Sequence, residues 1–296
     1  MATLEAARVL VTGASGFIGA RLAARLVEAG VRVFCQALPG DSLARLPVDP
    51  ADVYLADVRD AEVVRRMVDA AAPDVVFHLA AAGATHPFLP LDEALQVNLY
   101  GTLHLLRAVK GQARVVVART IGERDNLNPY AASKHAAWSV AEMLCRTEGW
   151  PVVGLMLFQV YGPGQATPAF VPSAIRAALA GADFRMTHGA QVRDWVYVDD
   201  VVAAFLAAAG APGVAGRTVE IGTGQGTSVR EVAARIWALA GARGKLRVGA
   251  LEARPGEPAV QVADPEPAAQ LLGWRAATAL DAELAATIRA CRGDDG

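Results

Sequence analysis

Short runs of aliphatic and β-branched residues alternate with Ala/Leu/Arg segments of helical period through the first half of the chain. That alternation predicts parallel strands joined by crossover helices. The strand-like runs are Arg8 to Thr12, Val31 to Cys35, Asp52 to Ala56, Asp74 to Ala80, Arg114 to Ala118 and Val152 to Leu157, a set that suits a doubly wound sheet. Between them, Phe17 to Ala29, Ala61 to Ala72, Asp92 to Lys110 and Pro129 to Glu148 read as helices, each ending near Gly, Pro or a polar turn. In the first helix Ile18, Leu22 and Leu26 repeat at i, i+4 and i+8, while Arg21, Arg25 and Glu28 fall elsewhere.

After about Tyr161 the pattern loosens into Gly/Pro-rich loops and short elements. Helices are expected at Val171 to Ala180, Asp199 to Ala209, Val229 to Ala240 and Ala279 to Ala290, with strands near Trp195 and Val219. The expected fold is α/β: a Rossmann doubly wound parallel sheet in residues 1–160, and a smaller mixed α/β lobe in residues 161–296, partly interleaved with it, where substrate would sit.

Composition narrows the function classes. The chain has 296 residues, 53% hydrophobic and 20% charged, so it can bury a full core. A net charge of −2 without Lys/Arg runs speaks against nucleic acid or an anionic membrane as partner. Cys35, Cys145 and Cys291 are far apart and have no His at ligand spacing, which predicts neither disulfides nor a metal site and fits a reducing cytosol. Glu5 precedes the first apolar run, unlike a secretory signal. The longest uncharged stretch, Gly149 to Ile175, is broken by Pro163, Gly164, Pro168 and Pro172, so no membrane span is expected.

Two local patterns carry chemistry. The first strand runs into Gly13-Ala14-Ser15-Gly16-Phe17-Ile18-Gly19 and then into a helix. Glycines there allow a tight turn, close approach of backbone to a pyrophosphate, and helix-on-strand packing, with free N–H groups at the positive helix end facing the phosphates. The second pattern is Tyr130-Ala131-Ala132-Ser133-Lys134, which opens a helix and puts phenol and ammonium on one face. An unperturbed phenol titrates near 10, too high for neutral acid–base work. A neighbouring ammonium favours the phenolate and brings it toward the working range. Lys134 is one of only three lysines, with Lys110 and Lys245.

The Gly13-x-x-Gly16-x-x-Gly19 spacing with Phe17-Ile18 inside it resembles the extended short-chain dehydrogenase/reductase family, and the likeness continues along nearly the whole chain. In its nucleotide-sugar epimerase, dehydratase and 4-ketoreductase branch, it implies a cofactor site of Gly13, Ser15, Gly16, Phe17, Ile18, Gly19, Asp57 and Val58 at the adenine end. Leu79, Ala80 and Ala81 after the fourth strand, Asn98, Tyr130 and Lys134 complete the implied set. It implies Tyr130, Lys134 and the hydroxyl of Thr120 as the catalytic group, although only nine residues separate Thr120 from Tyr130. For the nucleotide-sugar substrate it implies Arg193, in Arg193-Asp194-Trp195, and Arg254, in Arg254-Pro255-Gly256-Glu257, converging on the diphosphate. Gln159 stands where many members have Asn, and Thr85 and His86 are placed either to line the sugar pocket or to face solvent. A homodimer through the helices around Asp92 to Lys110 and Pro129 to Glu148 is likewise implied.

Departures from the family shape the expected reaction. Ala37 replaces the ribose-binding acid at the end of the second strand, and Arg45 can either reach a 2′-phosphate or stand solvated, which favours NADP(H) with NAD(H) still possible. Ile121-Gly122 replaces the Asp-Glu pair of the 4,6-dehydratases, and Glu123 reads as a surface residue. The expectation is therefore an NAD(P)-dependent oxidoreductase of the cytoplasm, reducing a 4-keto-6-deoxy nucleotide sugar with Tyr130 protonating the nascent alkoxide. The alternative is a nucleotide-sugar 4-epimerase with bound NAD. A non-catalytic nucleotide-binding protein is a remote third, since it would not need Tyr130, Lys134 and Thr120 together.

Overall fold

The computed structural model describes Leu4 and residues 6–293; Glu5 lies outside them. The chain order is β1 (Arg8–Thr12), α1 (Phe17–Glu28), β2 (Arg32–Ala37), β3 (Val53–Leu55), α2 (Ala61–Ala71), β4 (Val75–His78), α3 (Leu91–Ala94), α4 (Gly101–Val109), β5 (Arg114–Thr120), α5 (Pro129–Glu148) and β6 (Val152–Leu157). There follow β7 (Gln159–Tyr161), α6 (Phe170–Leu179), β8 (Phe184–Met186), β9 (Val192–Tyr197), α7 (Val198–Gly210), β10 (Thr218–Ile221), β11 (Gly226–Ser228), α8 (Val229–Ala240), β12 (Leu246–Val248), β13 (Val260–Gln261), α9 (Glu266–Leu272) and α10 (Leu280–Gly293). The single helix expected from Asp92 to Lys110 contains a π-helical stretch, Leu95–Tyr100, between α3 and α4.

Two compact units emerge. One joins the chain through Leu157 with Val202–Glu220 and Glu266–Trp274; the other comprises Phe158–Val201, Ile221–Pro265 and Arg275 onward. In the first, the strands β3-β2-β1-β4-β5-β6-β10 lie side by side in one sheet. The pairs β1–β2, β1–β4, β2–β3, β4–β5 and β5–β6 are parallel. β10 follows β6 in the same sense: the Gly154 N–H donates to the Arg217 carbonyl and the Phe158 N–H to that of Ile221. The strand expected near Val219 thus extends the large sheet.

Both faces of that sheet are covered, which explains why its strands read as near-continuous apolar runs. On one face Leu10, Val76, Val115 and Val117 pack with Val64, Met67 and Val68 of α2, Leu105 and Leu106 of α4 and Trp138 of α5. On the other, Phe77 meets Phe205 of α7 edge to face, with ring centroids 6.0 Å apart. Burying side chains of this size contributes roughly 1.5–3 kcal/mol each.

In the second unit β9 pairs with β7 and β13 in parallel and with β11 antiparallel, while β8 pairs with β12. Asp194 of β9 is buried and organises the turn after β10, accepting from the N–H groups of Thr223, Gly224 and Ala263 and from the Thr223 hydroxyl. Short strands such as β7, β8, β11, β12 and β13 are set by these tertiary bonds; two- or three-residue pieces have no period of their own to read. No helix among the described residues is long and apolar enough to cross a membrane.

Candidate active site

The Gly-rich turn is built against the end of β4. Gly13 has φ +67° and lies so close to residues 79–80 that a Cβ would come 2.7 Å from the Ala80 nitrogen. A Cβ on Gly19 would run into the Gly13 carbonyl, so the turn folds onto the first turn of α1. Gly16 is the N-cap of α1, with no side-chain cap and no acidic residue in the first turn. Those free N–H groups and the positive helix end suit a pyrophosphate, so the turn fits a dinucleotide. Phe17 and Ile18 begin α1 directly beside it.

Beneath the turn, buried His78 joins the two strand ends. Thr102 Oγ1 donates to the Asn98 carbonyl at 2.6 Å. It therefore accepts from His78 Nε2 (2.9 Å), which leaves Nδ1 to accept from the Thr12 hydroxyl (2.8 Å). Burial pushes the imidazole down to about 3, so it stays neutral. After β3, Asp57 takes a bidentate grip from the Arg59 guanidinium, a hydrogen bond that holds its carboxyl below the usual range. The buried Val58 accepts a bond from His104 Nδ1 at its carbonyl. The loop after β2 adds a carboxylate: Asp41 Oδ2 accepts from the Leu38 N–H (3.2 Å) and from the Ser15 hydroxyl. The Arg45 guanidinium donates to the Ser15 carbonyl at 2.7 Å.

Tyr130 and Lys134 sit in the first turns of α5, whose N-cap Asn128 accepts from the Ala131 N–H and whose N1 position is Pro129. The Tyr130 N–H donates to the Pro87 carbonyl, and Gly83 lies against the phenol ring, where a Cβ would approach Tyr130 Cβ to 3.0 Å. The loop bearing exposed Thr85 and His86 is thereby fastened to the start of α5. Asn98 fastens it again, accepting from the Ala82 N–H and donating to the Ala82 carbonyl and Ser133 Oγ. Ser133 Oγ in turn donates to the Tyr130 carbonyl. Asn98 therefore works by holding protein to protein, since all of these bonds are internal.

Thr120 ends β5 and caps a 3-10 turn, Ile121–Arg124, its hydroxyl oxygen accepting from the Gly122 N–H at 3.3 Å. Its own O–H proton is still available to donate. Glu123 is not a surface residue: it is 1% exposed, because the capping box turns it inward to accept the Thr120 N–H at 2.9 Å and the Arg119 guanidinium at 2.6 and 2.8 Å. The proton affinities also differ from the expected pattern. Burial, then the Glu123 charge, pushes the Tyr130 phenol above its ordinary value, so the side chain holds its proton. Burial pulls Lys134 down to about 8, with Glu123 raising it and Arg119 lowering it. Desolvation, with the Glu123 charge, and not the ammonium sets the proton affinity of the phenol.

In the second unit, Arg193 is buried in β9. Its guanidinium donates to the Val192 and Pro258 carbonyls and pairs with Glu257 at 2.8 Å. Arg254 is exposed at the start of the turn that Glu257 closes, the Glu257 N–H donating to the Arg254 carbonyl. The expected pair is thus one buried fork already holding a carboxylate and one exposed guanidinium. Gln159 is exposed at the start of β7, opposite Trp195.

Residues 9–222 match the sequence model of the NAD dependent epimerase/dehydratase family. The chain belongs to that family. A UDP-N-acetyl-alpha-D-glucosaminuronate decarboxylase of Bacillus cytotoxicus is 31% identical over 271 residues, 81% of this chain and 82% of the relative. A UDP-glucose 4-epimerase of Thermotoga maritima, solved with UDP-glucose, superposes with a TM-score of 0.89 at 26% identity over 97% of this chain and 99% of its own. A UDP-glucose 4-epimerase of Thermus thermophilus, solved with NAD, gives 0.86 at 29% identity over 97% and 99%. The chain is thus an enzyme of the NAD-dependent epimerase/dehydratase type with a Rossmann-like sheet.

For a member of this family, two residues were missed by sequence reasoning. Glu123 could have been found from Thr120-x-x-Glu123, a capping-box spacing at the end of a strand. Asp41 offers no such signal, because the irregular loop after β2 decides where its carboxylate lands. Among the described residues no His/Cys/Asp/Glu group could hold a metal, and none of the three cysteines is in a disulfide.

Proposed function

We propose that the chain is a nucleotide-sugar 4-epimerase that uses NAD(H), with residues 1–160 carrying most of the cofactor site and the later lobe binding the nucleotide sugar. The observation that carries this reading is Asp41, bonded to Ser15 and to the N–H that follows Ala37. It supplies a carboxylate at the ribose end four residues after the position where the family places one, and a carboxylate there opposes a 2′-phosphate. Arg45, the candidate phosphate ligand, directs its guanidinium to the Ser15 carbonyl. The NAD complex of the Thermus relative agrees with this choice.

The cofactor would rest on Gly13, Ser15, Gly16 and the start of α1 at Phe17, Ile18 and Gly19, with Asp57 and Val58 at the adenine and Leu79 to Ala81 along its middle. Bound there, it supplies hydride acceptance and return at the sugar carbon. Tyr130 would take the C4 hydroxyl proton as the hydride leaves and return it as the hydride comes back, Thr120 would donate a hydrogen bond to that oxygen, and Lys134 would orient the nicotinamide ribose. Arg193 and Arg254 are the candidate diphosphate ligands, and Gln159, Thr85 and His86 the candidate sugar contacts.

Net reduction of a 4-keto-6-deoxy nucleotide sugar is the second reading. Ile121 and Gly122 stand where the 4,6-dehydratases carry their Asp-Glu pair, the nearby Glu123 carboxylate is taken up by Arg119 and the Thr120 N–H, and a phenol that holds its proton suits a group that donates one. Incubating the protein with a panel of nucleotide sugars and their 4-keto-6-deoxy derivatives, with and without added NADH or NADPH, separates the two. Epimerisation gives interconversion with no net change in cofactor; stoichiometric loss of reduced cofactor on a keto sugar overturns it. In the same assay Asp41→Asn is expected to narrow the preference for NAD over NADP.

A further inference from the structure

Behind the chemical cluster lies a buried ion pair that the reaction scheme does not use. Arg119 and Glu123 have side chains 7% and 0% exposed. Such a pair adds little net stability, because desolvating both charges offsets their attraction. Its surroundings are nonetheless built to hold it. Gly154 on β6 leaves the space for Arg119: a Cβ there would come 2.6 Å from Arg119 Cδ and 2.7 Å from the Trp138 ring. The guanidinium lies over that ring at 4.6 Å and donates to Thr218 Oγ1 on β10. Glu123 divides its oxygens, Oε2 to Arg119 and Oε1 to the backbone N–H of Thr120. Its own carbonyl accepts from His135 Nδ1 of α5 at 3.0 Å, which ties the turn to the helix that carries Tyr130 and Lys134.

We propose that Glu123 is a positioning residue for the chemical step: it fixes Thr120 through the backbone amide and supplies the counter-charge for the Lys134 ammonium. The inference rests on the proposed roles of Tyr130 and Lys134. Burial has already brought the ammonium to about 8, within reach of the neutral form at working pH, and the Glu123 charge opposes that loss. Arg119 orients the carboxylate and limits how strongly it acts. His78 of β4 is near enough to feel the ammonium but is uncharged, and no other titratable group on the packed elements supplies a counter-charge to Lys134. His78 of β4 is a neutral link between threonines, His104 of α4 bonds the Val58 carbonyl, Glu93 of α3 acts on Arg59, and Asp92 and Arg107 are exposed.

The test needs no substrate. With three lysines in the chain, biosynthetic labelling with [ε-13C]lysine gives three signals to titrate by NMR, and Lys134 is the one lost in Lys134→Arg. Glu123→Gln keeps an acceptor for the Thr120 N–H but removes the charge. The Lys134 midpoint is expected to fall below about 8 by about one pH unit. Loosening of the fold would move it the other way, toward 10.5. A midpoint that stays or rises overturns the proposal. Should Glu123→Gln not fold, Arg119→Gln/Glu123→Gln removes both members of the ion pair, so no guanidinium is stranded, and carries the same criterion, since the Glu123 effect on Lys134 exceeds that of Arg119. In turnover, Glu123→Gln should lose about tenfold in kcat at neutral pH with little change in KM, and its activity maximum should move toward acid. Full turnover by Tyr130→Phe would instead overturn the proposed chemistry while leaving the Lys134 titration as it is.

Discussion

Lys134 carries a burial cost that changes with pH. It is 4% exposed, and its fall from 10.5 to about 8 corresponds to on the order of 3 kcal/mol of burial penalty. Below about pH 8 both folded and unfolded chains carry the proton, so the penalty is felt in full. Between about 8 and 10.5 the unfolded chain holds a proton that the folded one has released, so raising the pH relieves it. Lys134→Met is therefore expected to raise the melting temperature at pH 7, with the advantage shrinking as the pH approaches 10.5. Melts of both proteins across that range decide it; a gap independent of pH would contradict the assignment. Arg193 makes a different case, because its guanidinium is held by Glu257 and two carbonyls. If it is the diphosphate ligand, Arg193→Met should weaken UDP binding about tenfold or more in calorimetry, the size of a charged hydrogen bond. Unchanged UDP affinity would exclude that role.

At the scale of elements, the start of α5 is held by a polar seam through Asn98, Ser133, Ala82 and Pro87. Asn98→Leu removes three bonds, one buried and two part-buried, and strands the Ala82 N–H. A loss of about 2–3 kcal/mol is expected in urea melts, with kcat falling because Tyr130 is released from its loop. The π-helical stretch that presents Asn98 had no signature in the apolar period. By contrast β1, α5, β6 and α8 match the ranges read from sequence to the residue, because apolar runs, the Asn128-Pro129 start and the Gly149 and Gly241 ends speak locally. Glu123 shows the limit of such reading. Its spacing was visible, but its burial depends on Gly154 and Trp138, which arrive from other elements.

For the whole molecule, the order of elements made the sheet legible, and the family likeness ran along with it. The return of residues 202–220 and 266–274 to the first unit was not legible, since a strand such as β10 reads the same whichever sheet it joins. Leu91, Tyr100 and Met143 are exposed apolar residues on α3, the π-helical stretch and α5, the helices through which a homodimer is proposed. Light scattering should give twice 30.8 kDa, and Tyr100→Asp should shift the mass toward 30.8 kDa. A wild-type mass of one chain at micromolar concentration would contradict the dimer.

The central claim is that Tyr130 moves the proton that accompanies hydride transfer at a nucleotide-sugar carbon. Its most direct test is a single turnover: NAD-loaded wild type and Tyr130→Phe are mixed with the nucleotide-sugar panel, and reduced nicotinamide is followed by its absorbance. The account predicts a transient in the wild type that slows by about 10²–10⁴-fold in Tyr130→Phe, with NAD affinity unchanged. A transient of equal rate in both proteins, or none with any sugar, would contradict it.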